Sequence, residues 1–151
     1  MMDAPAFKGL RWNCGDYGET CFVRRCLVKF EAFDGCFPGR IAPTDFDMVV
    51  EANGCILVAE WKYRRPKSWE GGQRILFERL SRLSDRITVI IVVCPDMESM
   101  AVEEMAVVHN GGLGEWHRCN LRQLRVWVRG WFREAMNRAP LPPIKERQAV
   151  A

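Results

Sequence analysis

The dipeptide Asn53-Gly54 separates two apolar-rich stretches, Phe46 to Ala52 and Cys55 to Trp61. A two-residue type I′ turn needs positive φ at both central residues, and Asn-Gly meets that need better than almost any other pair. Such a turn fixes the register of the hairpin. Ala52 faces Cys55, Val50 faces Leu57, Met48 faces Ala59 and Phe46 faces Trp61. That face is wholly apolar and must pack against a helix layer. The other face pairs Val49 with Val58, Asp47 with Glu60 and Asp45 with Lys62.

Acids and a lysine therefore gather at the open end of this hairpin. Opposed side chains in an antiparallel ladder have Cβ atoms about 4.5–5.5 Å apart, so two facing carboxylates repel unless a proton or a cation neutralises them. Oxygen donors alone suit a hard ion such as Mg²⁺ or Mn²⁺. Lys62 beside that ion can stabilise developing negative charge or orient an attacking water. The alternative is a plain Asp45–Lys62 surface salt bridge with the other acids solvated.

The remaining elements follow from periodicity. Asp16 to Glu31 reads as a helix, with Glu19, Val23, Cys26 and Phe30 on one stripe. Gly72 to Leu83 reads as a second, with Gln73, Leu76, Phe77, Leu80 and Leu83 facing inward. Ile87 to Cys94 is a continuous apolar run rich in β-branched residues, the pattern of a buried strand. Pro95-Asp96 is expected to open a helix with the stripe Met97, Met100, Ala101, Met105 and Val108, ending at Asn110-Gly111. A short strand near Leu113 to His117 and a last helix from the cap Asn120 to about Asn137 complete the order. The fold class expected is α/β, a small mixed sheet flanked by helices. Residues 1–138 form one domain, and the prolines from Ala139 onward mark a C-terminal tail over 139–151.

Composition narrows the setting. The apolar run Ile87 to Cys94 is far too short for a bilayer, which takes about 20 residues. Met1-Met2-Asp3-Ala4-Pro5 carries no basic and apolar secretory pattern, so the cytoplasm is the expected location and no membrane is a partner. The seven cysteines contain no Cys-x-x-Cys pair, and His117 with Cys119 lacks a second pair of zinc ligands. Reduced and mostly buried thiols are expected. Arginine supplies most of the 22 positive charges, and its planar fork suits phosphate.

Asp47, followed by Glu60-Trp61-Lys62 at the end of the next strand, resembles the motif of the PD-(D/E)XK nuclease superfamily. Lys62 is the one lysine in the chain with an acid two places before it. The stretch from Asp47 to Lys62 is similar in pattern to archaeal Holliday-junction resolvases. Gly18-Glu19, Thr44-Asp45-Phe46-Asp47 and Glu60-Trp61-Lys62 resemble the nuclease-related domain. The resemblance runs from about Asp16 to Asp96. It implies a restriction-endonuclease-like αβββαβ core, with a first short strand near Gly39 to Ala42. It also implies metal ligation by Asp47, Glu60, the Trp61 carbonyl and Glu19, a catalytic Lys62, and a part for Gln73 at the start of the second core helix. Position 46, where many members carry proline, is Phe46, which leaves Asp45 as a rival ligand.

The last helix carries Arg122, Arg125, Arg129 and Arg133 in one stripe, opposite Leu121, Leu124, Trp127, Val128 and Trp131. Such a stripe can track a phosphate backbone, and Arg64, Arg65, Lys67 and Trp69 offer a second contact region. A solvated face is the alternative. The function expected is metal-dependent hydrolysis of phosphodiester bonds in nucleic acid, DNA before RNA, with Mg²⁺ or Mn²⁺, and a second copy of the chain as a candidate partner in a homodimer. The alternatives are a nucleic-acid-binding module without turnover and an interaction protein with an arginine-rich surface.

Overall fold

The computed structural model describes residues 30–37, 39, 43–67 and 72–142, and the chain divides into two compact units, Met1–Pro43 and Thr44–Ala151. In the first unit a 3-10 helix spans Phe30–Phe33. The rest of the expected first helix, with Glu19, lies outside the described residues. So do residues 40–42 of the expected first strand and Trp69.

The second unit is α/β. Strand β1 (Met48–Ala52) and strand β2 (Cys55–Lys62) form the expected hairpin, paired from Ala52 with Cys55 to Met48 with Ala59. Asn53 and Gly54 both have positive φ, 51° and 77°, as the type I′ turn demands. A Cβ on Gly54 would also lie 2.6 Å from the exposed Leu141 side chain, which would have to turn aside. The Asn53 amide donates to the carbonyls of Ala135 and Arg138, and the Arg86 guanidinium donates to those of Asn53 and Ala139. The start of the proline-rich tail is thus fastened to the hairpin turn.

Helix α1 (Gly72–Leu83) carries the chain from β2 to strand β3 (Ile87–Val93), which pairs parallel to β2. A parallel pair needs such a crossover. Strand β4 (Glu104–His109) runs antiparallel to β3. The two-residue strands β5 (Gly112–Leu113) and β6 (His117–Arg118) both pair with β4. Helix α2 (Leu121–Asn137) closes the unit, with Asn120 and Gln123 forming a reciprocal capping box at its start. The result is a mixed six-stranded sheet, β1-β2-β3-β4-β5 with β6 beside β4.

The helices cover opposite faces. Leu57, Ala59, Ile90, Val92 and Met105 pack with Leu124, Trp131 and Ala135 of α2. The alternate residues Val58, Val89, Ile91 and Val108 pack with Phe77 of α1. Phe77 is fully buried, which contributes about 2–3 kcal/mol. Leu83, expected on the inward stripe, is exposed at the helix end.

The helix expected from Pro95 to Asn110 is a strand instead. The Asp96 carboxylate accepts from the backbone of Glu98 and from the backbone and hydroxyl of Ser99, but it caps a single turn. Met100, at φ 55°, ends that turn. Beyond it, Ala106 and Val108 point to the α1 side, and Met105 and Val107 to the α2 side. A strand covered on both faces is apolar at nearly every position, and such a run fits a helical stripe by accident.

Candidate active site

Glu60 has the same parity on β2 as Val58, so it points toward α1. Only 6% of it is exposed. Lys62, two residues further on, reaches back to Glu60 Oε1 at 2.8 Å. Gln73, in the first turn of α1, closes the group. Its Oε1 accepts from Lys62 Nζ at 2.7 Å, and its Nε2 donates to Glu60 Oε1 at 2.7 Å. Each of the three side chains is bonded to the other two. The cluster stands at the carboxyl end of β2 and the amino end of α1, where ligands gather in open α/β sheets and the helix dipole is positive.

The arrangement leaves defined valences open. An ammonium has three donors, and two of those on Lys62 are committed. Glu60 Oε1 accepts two bonds, while Glu60 Oε2 makes none among the described residues.

Asp47 does not continue the ladder. The last pair of β1 is Met48 with Ala59, so the expected Asp47–Glu60 and Asp45–Lys62 pairs do not form. The Asp47 carboxylate accepts instead from the Trp61 backbone N–H at 2.7 Å. Phe46 is displaced as a consequence. Its ring lies 6.2 Å from that of Phe77, against α1, rather than facing Trp61. The Trp61 side chain packs with the α2 core. The Lys62 carbonyl accepts from Cys94 on the β3 side. Backbone groups alternate along a strand, so the Trp61 carbonyl points to the β1 side, beyond the end of the β1 ladder.

Among the described residues no three of His, Cys, Asp or Glu gather as a metal-holding group. The groups left open along this end of β2 are the second oxygens of Asp47 and Glu60 and the Trp61 carbonyl. All are oxygen, the chemistry that Mg²⁺ or Mn²⁺ takes.

The basic residues divide into two regions. Arg65 is 3.8 Å from Glu104 and lies over the Trp116 ring, 5.1 Å from its centroid. It reaches across the carboxyl end of β2 and β3 to the start of β4. Arg64 and Lys67 are exposed and form no ion pair among the described residues. Arg122, Arg125, Arg129 and Arg133 are likewise exposed on α2 and unpaired among the described residues. They lie on the other side of the sheet from Glu60, Lys62 and Gln73, so stripe and cluster face away from each other.

Of the described cysteines, all free thiols, Cys55 and Cys94 are buried and Cys36 is exposed, which departs from the expected burial. Burial pushes the Cys94 and Cys119 thiols up, and the Ser99 hydrogen bonds hold the Asp96 carboxyl below the usual range. A groove of about 620 Å³, with Glu103, Glu104, Arg118, Asn120 and Gln123 in its wall, opens at the start of α2. The sequence pattern gave no sign of it. Comparison with known proteins finds no match: no family model, no curated protein and no solved structure matches the chain.

Proposed function

We propose that this protein is a metal-dependent nuclease of restriction-endonuclease-like type, hydrolysing phosphodiester bonds of nucleic acid, DNA before RNA, in the cytoplasm. The observation that carries the reading is the closed group of Glu60, Lys62 and Gln73 at the carboxyl end of β2. Glu60, Asp47 and the Trp61 carbonyl would hold a divalent ion. When bound, that ion supplies Lewis-acid stabilisation of phosphate charge and a more acidic water.

The chain's own part follows from its hydrogen bonds. Gln73 and Glu60 fix the Lys62 ammonium and leave one N–H for a non-bridging phosphate oxygen. That donor strengthens its bond as charge builds on the oxygen in the transition state. Arg64 and Lys67, on the loop that leaves β2, supply charge for the flanking phosphates.

A second reading is a nucleic-acid-binding module without turnover. It is favoured by the arginine stripe of α2, which lies on the face opposite the cluster. Cleavage of linear, circular and branched DNA with and without Mg²⁺, beside Glu60→Gln, tests the choice. Magnesium-dependent cleavage lost in the variant supports the nuclease. Binding with no cleavage of any substrate supports the module.

A further inference from the structure

Tyr63 follows Lys62 directly and is 70% exposed, although it adjoins one of the most buried strands of the sheet. Its hydroxyl makes no hydrogen bond and its ring no aromatic contact among the described residues. Packing therefore does not account for the aromatic side chain at this position.

Its neighbours supply a setting. Lys62 carries one uncommitted donor. Arg64 and Lys67 are exposed and unpaired among the described residues. Arg65 reaches Glu104 and the Trp116 ring, and Glu104 lies in the same cross-strand row as Lys62, two strands away. Tyr63 and Arg64 stand between the end of β2 and this contact. An exposed aromatic face amid basic side chains is the device by which proteins hold unpaired nucleotides: bases stack on the ring and phosphates meet the cations. A base inside a duplex is already stacked on both faces and gains nothing from the ring.

We infer that Tyr63 is a stacking platform for an unpaired base, and that the site takes single-stranded or frayed nucleic acid in preference to intact duplex. This rests on the reading of Glu60, Lys62 and Gln73 as the hydrolytic site. Tyr63 follows Lys62 where β2 ends, and successive residues of a strand point to opposite faces, so a base on the ring would flank the phosphate that Lys62 would contact and not overlie it.

The test is binding, measured on the full chain without added metal so that turnover plays no part. Fluorescence anisotropy with labelled oligo-dT and with a blunt duplex of equal length compares wild type, Tyr63→Ala and Tyr63→Phe. Stacking strengths measured elsewhere imply that Tyr63→Ala weakens oligo-dT binding roughly 5- to 100-fold. Tyr63→Phe, which keeps the ring, stays within about twofold, and duplex affinity is unchanged in both. Wild type that ignores oligo-dT, Tyr63→Ala that binds it as wild type does, or an equal loss on both probes overturns the inference. Failure of the nuclease reading looks different. Tyr63-dependent binding would persist while no nucleic acid is cleaved with Mg²⁺.

Discussion

The Asp47 carboxylate takes the Trp61 N–H at 2.7 Å, the donor that β1 would have engaged had its ladder run further. One side chain thereby ends the strand and caps the backbone of Trp61, the residue between Glu60 and Lys62. This structural role and the proposed metal-binding role separate by substitution. Asp47→Asn keeps an oxygen acceptor and should alter stability by less than about 0.5 kcal/mol. Asp47→Ala should lose about 1 kcal/mol, the usual net worth of a hydrogen bond. Under the proposed function both abolish cleavage. Urea unfolding beside plasmid cleavage checks this, and an Asp47→Asn variant with full activity would reduce Asp47 to a strand terminator.

Glu60 and Lys62 are unequal partners. The Glu60 side chain is 8% exposed and that of Lys62 is 30%. Removing the lysine leaves a carboxylate in the interior, whereas removing the acid leaves an ammonium that water can reach. Lys62→Met should therefore cost about 3 kcal/mol and Glu60→Gln about 1 kcal/mol. Both should eliminate magnesium-dependent cleavage. The reverse order of stabilities in denaturant melts would contradict the burial argument.

Gln73 touches both members of that pair and is a positioning residue. Gln73→Ala removes one acceptor from Lys62 and one donor from Glu60, and turnover should fall about tenfold with KM little changed. Gln73→Glu should be worse than alanine. It still accepts from Lys62 but sets a second carboxylate against Glu60. Steady-state kinetics on one oligonucleotide give the order, and alanine proving the more damaging would refute it.

Much of this was legible in the residues. Asn53-Gly54 set the register of five cross-strand pairs because its turn admits one alignment. Asn120 marked the start of α2 because its side chain caps it, while the reciprocal bond from Gln123 emerges only in the structure. What escaped was decided by tertiary contacts. The stripe from Met97 to Val108 looked helical, yet Met97 and Met100 lie in a turn, and Met105 and Val108 fill opposite sides of β4. The sequence also placed Lys62 opposite Asp45, since it offered no sign that Asp47 would leave the ladder. Gln73 was visible as a helix-start polar residue, but its bonds to two β2 side chains depend on how α1 crosses the sheet.

Cys94 supplies a pH prediction. Desolvation by burial raises its thiol above the usual value of 9.0 in the folded chain. Its contribution to stability is thus fully present below about pH 9 and is lost as pH rises further, because the unfolded thiol ionises first. Cys119 acts in the same direction. Stability should fall on the alkaline side, and Cys94→Ala, though less stable overall, should show a shallower fall. Denaturant melts from neutral pH to well above the usual thiol value test it. Identical slopes in the two proteins would exclude Cys94 as a source.

The arginine stripe separates binding from chemistry. Arg122, Arg125, Arg129 and Arg133 face away from the sheet, on the side opposite Glu60 and Lys62, so a short oligonucleotide in the candidate site should not reach them. A longer nucleic acid can. If the four neutralise phosphates, each contributes to the salt dependence of binding. For duplex DNA, log K falls against log salt with a slope of roughly −0.9 per phosphate. Replacing Arg125 and Arg129 with Gln should flatten that slope by about 2 units on a long duplex. The same double substitution should leave cleavage of a short single strand unchanged, because no group at the cluster is touched. Glutamine keeps the helix, since its propensity is close to that of arginine. Binding to long and short probes across a salt series makes the measurement. An unchanged slope on the long duplex would show the stripe to be solvated surface, and would leave Arg64 and Lys67 as the phosphate contacts beside the site.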